Sequence, residues 1–309
     1  LGTERYRGYA EAYFEHHAGR TRIRWSDDCP PGLAALELYR VTQRAEHLAA
    51  AERVATYLKG ARRTRDGGLN HFGVSPMALI YPESMWVDSL MMYGIFAARW
   101  GRATGDEDMT RFALQQPPLF AAVLRDSRTG LFRHSWWVRA RKAIPSGEGT
   151  WLRGNGWVMA SLVEVLLATP DGEEGRGPLV TMLRELAKAL MPYQLPSGLF
   201  ATVLGRPSYE ETSGSALCAY GLFQGVRDGH LPASFVEPAT RAYRTLLQRL
   251  EKRNGRLSLR DVSAATMPYP IWVYPLIPRV RDASHGIAAM ILAGMAAGGI
   301  VQTNGGPPP

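Results

Sequence analysis

Asp27 and Asp88 each stand at the start of an apolar stretch, 61 residues apart. Two carboxyl groups drawn into one pocket seldom both stay ionised, so such a pair would hold one mobile proton, which is the equipment of general acid/base catalysis. Asp88 follows Trp86 closely. Burial beside that ring and the nearby Asp27 carboxylate would each raise its pKa toward the range of a proton donor near neutral pH. Further on, Trp151-Leu152-Arg153-Gly154-Asn155-Gly156-Trp157 sets a guanidinium between two indoles. Arg153 offers a planar fork for a carboxylate. Trp151 and Trp157 offer flat faces for a sugar ring or a cation. Taken singly, an Asp at a helix start is most often only an N-cap, and a tryptophan often only packs a core. The chemical reading requires that these residues meet.

The elements that would bring them together are helices. Helical periodicity dominates and alternating runs are scarce, so the chain reads as all-α. Charged amphipathic segments (Thr3 to His17, Ala45 to Arg62, Asp106 to Arg125, Pro178 to Tyr193, Ala233 to Lys252) alternate with segments apolar on nearly every side. The apolar ones are Gly32 to Thr42, Trp86 to Trp100, Gly156 to Leu167, Ser213 to Gly225 and Gly286 to Ala297. A helix apolar all round must be buried all round. Each apolar segment is opened by polar and aromatic residues, and Asp27, Asp88, Arg153, Ser213 and His285 recur at intervals of 61, 65, 60 and 72 residues. This is a supersecondary repeat of one inner and one outer helix per unit. A ring of such hairpins would converge its inner N-termini at one mouth, where unpaired N–H groups and helix dipoles favour an anionic ligand. On a six-fold template the first charged segment lacks an inner partner, so the first hairpin is expected to be incomplete; a five-fold ring is the alternative.

Composition narrows the partners. The chain has 309 residues, 36 Lys and Arg against 28 Asp and Glu, and a net charge of +8. The excess is spread along amphipathic helices, as a solvated face would be, and no basic run interleaved with aromatics suggests nucleic acid. No apolar run reaches the roughly 20 residues of a membrane span, and Gly286 to Ile300 reads as a buried helix. Cys29 and Cys218 lack metal or redox spacing and read as buried free thiols. His16 and His17 have no further ligands nearby, so no metal site is expected. Residues 1–304 read as one ring and 305–309 as a Gly/Pro tail.

Seven segments together resemble the unsaturated rhamnogalacturonyl hydrolases of glycoside hydrolase family 105. They are Asp27 to Gly32, Asp66 to His71, Met85 to Met92, Gly130 to His134, Trp151 to Trp157, Glu211 to Ser215 and Ser284 to Ile287, in family order across nearly the whole chain. The resemblance implies an (α/α)6 barrel. It also implies a substrate left by a polysaccharide lyase and ending in a Δ4,5-unsaturated galacturonic acid. The enol ether is then hydrated: C4 is protonated, water adds at C5, and the hemiketal opens and expels the aglycone. By this resemblance Asp88 is the catalytic acid/base and Asp27 the second active-site Asp, while His134, Arg153 and Trp157 hold the unsaturated sugar. Trp86, Trp151, His71 and His285 are further candidates for substrate binding. No cofactor is implied, since a carboxyl group and water suffice, and family habit places the enzyme in the cytoplasm.

Two features depart from the family pattern. The loop from Phe72 to Pro82 is longer than usual, and Met267 to Pro278 puts a Pro-rich aromatic segment where the family has a more polar loop. The second could bind sugar faces or a partner. Two other readings stand beside the first: a related family 88 unsaturated glucuronyl hydrolase, and a non-catalytic ring that binds glycans or proteins. The joint presence of Asp27, Asp88, Arg153 and Trp157 weighs against the last.

Overall fold

The apolar segments become the inner wall of a ring of hairpins. The computed structural model describes residues 6–18 and 22–298. Among the described residues the inner helices are α2 (Pro30–Thr42), α4 (Ile95–Thr104), α6 (Leu152–Ala168), α8 (Thr212–Arg227) and α10 (Ser284–Ala297). Between them run the outer helices α1 (Arg7–Ala18), α3 (Ala45–Gly60), α5 (Glu107–Leu124), α7 (Arg176–Leu190) and α9 (Val236–Leu247). Inner helices pack in sequence, α2 on α4, α4 on α6, α6 on α8 and α8 on α10, and each outer helix lies against an inner neighbour. The tail 305–309 and the start of the first charged segment lie outside the described residues.

Sequence and packing agree most closely in α6 and α8. Nearly every residue of α6 is buried, as an all-apolar helix requires. In contrast, α7 buries one stripe through Leu179, Leu183, Leu186 and Leu190. Two glycines let the inner helices approach. A Cβ on Gly156 would lie 2.8 Å from Leu217 Cβ, and one on Gly214 would lie 2.5 Å from Leu152 Cγ.

Polar side chains also join the inner helices. Arg99 on α4 donates to Glu37 of α2 at 2.8 Å and to Glu164 of α6 at 2.6 Å, and Tyr220 of α8 donates to the other oxygen of Glu164. Truncating the cation would leave the Glu164 carboxylate buried without its counter-charge. Arg99→Met is therefore expected to cost about 3 kcal/mol, the low end of the range for a broken buried pair because Arg99 is partly exposed. Urea denaturation measures this, and a loss below about 1 kcal/mol would mean that the network contributes little beyond packing.

Three expectations change. Trp86 is not helical: Ser84–Trp86 forms strand β1, paired antiparallel with β2 (Ser135–Trp137), which pairs in turn with β3 (Lys142–Ile144). The wall below it opens with a π-helical turn, Leu90–Gly94, before α4 begins. The third change concerns α10, which is not buried on all sides, since Ile287 and Ile291 are 39% and 56% exposed. Small two-stranded pairs complete the mouth, β4 (Thr150–Trp151) with β5 (Val203–Leu204) and β8 (Val262–Ser263) with β9 (Arg279–Val280). An outer hairpin, β6 (Leu250–Arg253) and β7 (Arg256–Leu259), follows α9. Cys29 and Cys218 are free and buried. No helix among the described residues is long and apolar enough to cross a membrane.

Candidate active site

The strands at the mouth gather the chemistry. Asp27 sits in the short 3-10 turn Ser26–Asp28 that leads into α2. That turn is fastened to the next repeat by the Ser26 N–H, which donates to the His71 carbonyl, and the His71 N–H donates to the Ser84 carbonyl at the edge of β1. Asp88 follows β1 directly, and the Val87 N–H donates to the His134 carbonyl. Three chain segments distant in sequence thus place Asp27, His71, Asp88 and His134 side by side.

Aromatic rings frame this cluster. His71 lies flat on Trp86 with centroids 4.0 Å apart, Trp86 meets His134 edge-on at 5.3 Å, and His134 lies 4.1 Å from Trp151. Both indoles are almost wholly buried, so they shape and dehydrate the site rather than present a face to a sugar. Trp151 carries the Arg153 guanidinium over its ring at 4.7 Å, in keeping with the cation-stacking alternative. Trp157 lies one turn beyond Arg153 on α6, packed into the core.

Around the carboxylates the electrostatics are unequal. The Asp88 side chain is 17% exposed and that of Asp27 is 42% exposed. Burial alone would lift the Asp88 pKa, but the His134 imidazole beside it and the Arg153 guanidinium behind outweigh burial and hold it below the usual carboxylate range. Asp27 is pushed up to about 7, first by desolvation among the atoms packed round it and then by the Asp88 carboxylate. This differs from the expectation that Asp88 carries the raised pKa: the surroundings push Asp27 up and Asp88 down. Burial keeps both histidines neutral by lowering their pKa values, that of His71 to about 3.

Contacts between the two kinds of group are close but loose. His134 Nε2 stands 3.2 Å from Asp88 Oδ2, out of line for a hydrogen bond, and His71 Nε2 stands 3.8 Å from Asp27 Oδ1. Buried polar atoms left in this state are suited to a ligand that completes them.

Arg153 is fully engaged. Nη1 donates to the Ser263 carbonyl at 2.9 Å and to Ser213 Oγ at 3.4 Å, and Nη2 donates to the Ala264 carbonyl and Thr266 Oγ1, both at 2.9 Å. Glu211 stands 3.9 Å away, itself accepting from the backbone N–H groups of Ser213, Gly214 and Ser263. The expected fork for a ligand carboxylate is thus a clamp that ties α6 and α8 to the loop after β8. His285 reaches the same loop, with Nε2 3.0 Å from the Ser263 carbonyl at the start of α10.

Sequence reasoning missed several supports. Asn155, wholly buried, accepts from the Phe132 N–H and donates to the Phe132 and Trp151 carbonyls, which fixes the segment carrying His134. Its place between two glycines was the only signal. Ser89 Oγ lies 3.0 Å from His71 Nδ1 and donates to Ser26 Oγ at 3.1 Å. Tyr274 lies in the Pro-rich segment, and its hydroxyl is 2.9 Å from His134 Nδ1. Among the described residues no group of three or more His, Cys, Asp or Glu is arranged to hold a metal ion.

The chain is similar to known proteins in sequence and fold. The family model described as Glycosyl Hydrolase Family 88 covers residues 1–297. The unsaturated rhamnogalacturonyl hydrolase YesR of Bacillus subtilis (strain 168) is 32% identical over 266 residues, 85% of this chain and 74% of that protein. A glycoside hydrolase from family 105 of C. acetobutylicum ATCC 824 superposes with a TM-score of 0.87 at 22% identity, over 96% of this chain and 88% of the other. A possible GH105 member from Klebsiella pneumoniae subsp. pneumoniae MGH 78578 gives 0.85 at 27% identity, over 96% and 77%. The fold is that of the (α/α)6 barrels of these relatives.

Proposed function

Because the chain belongs to Glycosyl Hydrolase Family 88, we propose that it removes the Δ4,5-unsaturated uronic acid from the non-reducing end of lyase-generated oligosaccharides. Unsaturated rhamnogalacturonyl is the leading substrate, following the activity named for YesR. Residues 1–304 would act as one catalytic unit. The cytoplasm, where imported fragments arrive, is the compartment that suits this role.

One observation carries the reading: two carboxyl groups in one mouth, one held ionised and the other pushed up to about 7. Hydration of an enol ether needs a proton given and a proton taken. In our reading Asp27 gives its proton to C4, which leaves oxocarbenium character at C5 shared with the ring oxygen. Asp88 takes a proton as water adds at C5. The C5 hemiketal then opens to a ketone, the hemiacetal at C1 collapses, and the aglycone leaves as an alcohol. The resting bias, which favours the proton on Asp27, returns it there for the next turnover.

His71 and His134, neutral and unsatisfied at Nε2, would complete their hydrogen bonds on the sugar. His285 and Trp157 would line the site more remotely. Arg153, with its four terminal N–H bonds in use, contributes positive potential to an anionic uronate rather than a direct fork.

The pH dependence follows from Asp27. Its donor form is present below about 7 and is lost as pH rises through that value, so kcat/KM of the free enzyme should fall on the alkaline side of about pH 7. Steady-state rates across pH check this. A flat profile from pH 6 to 9 would remove Asp27 as the donor.

Activity itself is tested by mixing the protein with unsaturated galacturonyl and glucuronyl oligosaccharides and following the ultraviolet absorbance of the conjugated double bond. Loss on the rhamnogalacturonan-derived substrate supports the leading reading. Loss only on glucuronyl substrates supports the family 88 glucuronyl alternative, and no loss on any of them would leave a binding ring.

A further inference from the structure

The geometry points to a platform for the uncharged aglycone sugars of the substrate, built by Tyr269 and Trp272 of the 267–278 segment with Tyr81 of the 72–82 loop. This rests on the reading of the mouth as the place where an unsaturated uronide is cleaved, and it names what the mouth takes beyond the uronate.

Both segments are unlike the rest of the chain in composition. The chain is 21% charged, yet Phe72 to Pro82 and Met267 to Pro278 contain no Asp, Glu, Lys, Arg or His. Each is attached to the charged site all the same. His71 immediately precedes the first, and Tyr274 of the second brings its hydroxyl to 2.9 Å from His134 Nδ1.

The second segment is a rigid mount. Its 3-10 helix, Ile271–Leu276, has a three-residue period that turns Ile271 and Tyr274 inward, with Ile277 following, and leaves Trp272 64% exposed. Tyr269 and Leu276 are exposed beside it. Proline at 268, 270, 275 and 278 stiffens the stretch, and the Ala264 N–H, donating to the Pro278 carbonyl, ties its two ends together. An aromatic face held in water on a stiffened backbone is ready to bind without an ordering cost.

The two segments meet at their tyrosines. Burial is the largest cause of the raised pKa values of Tyr81 and Tyr274. Beyond burial, Tyr269 raises the first, and Asp88, Tyr81 and Tyr269 raise the second, so the three phenols lie within electrostatic reach of one another. Tyr81 also packs edge-on against Trp86 at 5.7 Å and Trp137 at 6.2 Å. Ser135 and Trp137 stand opposite Trp86 and Ser84 across the β1–β2 pair and therefore share a sheet face with them. On that face Trp137 Nε1, the Tyr81 hydroxyl and Ser135 Oγ complete no hydrogen bond of good geometry.

Flat rings with a few unfilled polar groups among them suit a sugar, whose C–H faces lie on the rings while its hydroxyls meet the polar atoms. The lack of charge selects among sugars. A second uronate or a sulfated sugar would lose hydration here without gaining a counter-charge, whereas a 6-deoxyhexose offers a methyl group to the apolar rim.

The test compares unsaturated galacturonides that differ only in aglycone: a methyl group, a 6-deoxyhexose or a second uronate. Wild-type kcat/KM should be about tenfold higher on the deoxyhexoside than on the methyl glycoside, the worth of one good ring contact, and the uronate should bring no such gain. Trp272→Ala, an exposed substitution that costs little stability, should reduce the preference to about twofold or less. An undiminished preference in the variant, or a wild-type preference for the uronate aglycone, would overturn the platform. So would a wild-type dimer in analytical ultracentrifugation that Trp272→Ala dissociates, since the face would then join two copies of the chain. Binding is read without turnover by titrating a saturated galacturonyl-deoxyhexose disaccharide and following tryptophan emission in the wild type and in Trp272→Phe. If no unsaturated uronide is consumed but the disaccharide shifts the Trp272 emission, the functional reading fails while the platform stands. If the uronides are consumed and Trp272 neither responds nor affects the preference, the platform fails alone.

Discussion

Asp88→Asn should lower kcat by about 10²- to 10⁴-fold, the range that general acid/base catalysis supplies, while leaving the protein folded. The substitution keeps the side-chain volume and removes only the capacity to hold a charge and take a proton. Asp88 sits in a turn defined by backbone bonds, Val87 N–H to the His134 carbonyl and β1 to β2, which the side chain does not make. The amide also relieves the like-charge pressure that Asp88 exerts on Asp27, which should therefore titrate lower in the variant. The alkaline limb of whatever activity survives should shift down accordingly. Single-turnover measurement of double-bond loss separates this from binding. An Asp88→Asn protein with wild-type kcat would remove Asp88 from the chemistry.

The second large effect is structural. Arg153→Met should destabilise the fold by about 3–5 kcal/mol, the cost of removing one partner from a buried charged pair. The guanidinium supplies hydrogen bonds to the carbonyls of Ser263 and Ala264, to Thr266 Oγ1 and to Ser213 Oγ, beside a Glu211 carboxylate with no exposure. Methionine fills the space but removes one donor from each of two backbone carbonyls, leaving Ser263 to His285 and Ala264 to Thr266, and takes the counter-charge from the Glu211 carboxylate. The loop it frees, 263–266, leads directly into the segment that delivers Tyr274, so kcat should fall as well. Urea denaturation and KM together decide the matter. If stability is unchanged and only KM rises, Arg153 is a ligand fork after all.

Much of the architecture was legible because it is written in repeated, long-range periodicity. Five apolar segments opened by polar clusters predict inner helices sharing a mouth, and the structure brings Asp27, Asp88, Arg153, Ser213 and His285 to that one end. The resemblance added His71 and His134, and these prove to be the neighbours of the two carboxylates.

What the sequence concealed is local and directional. Ser84-Met85-Trp86 reads as the beginning of an apolar helix, yet pairing with Ser135–Trp137 outweighs that propensity. Asp88 reads as a buried acid, and burial does push it upward. A neighbouring imidazole nitrogen at 3.2 Å reverses the outcome, and no spacing rule reveals which way a ring nitrogen points. Arg153 looked like a free fork because its acceptors, backbone carbonyls more than a hundred positions away, carry no side-chain signature. Tyr274 stood out only as part of a rigid aromatic stretch, and its buried hydroxyl is what connects that stretch to the site.

Hydration of the double bond, rather than direct displacement at the glycosidic carbon, is the central step of the proposed reaction. The most direct measurement runs the wild-type reaction in D2O on an unsaturated rhamnogalacturonan disaccharide, following ultraviolet absorbance alongside the mass of the earliest product. We predict loss of the double bond in step with release of the aglycone, with one deuterium gained at C4. Release of a sugar that keeps its double bond and gains no deuterium at C4 would contradict it.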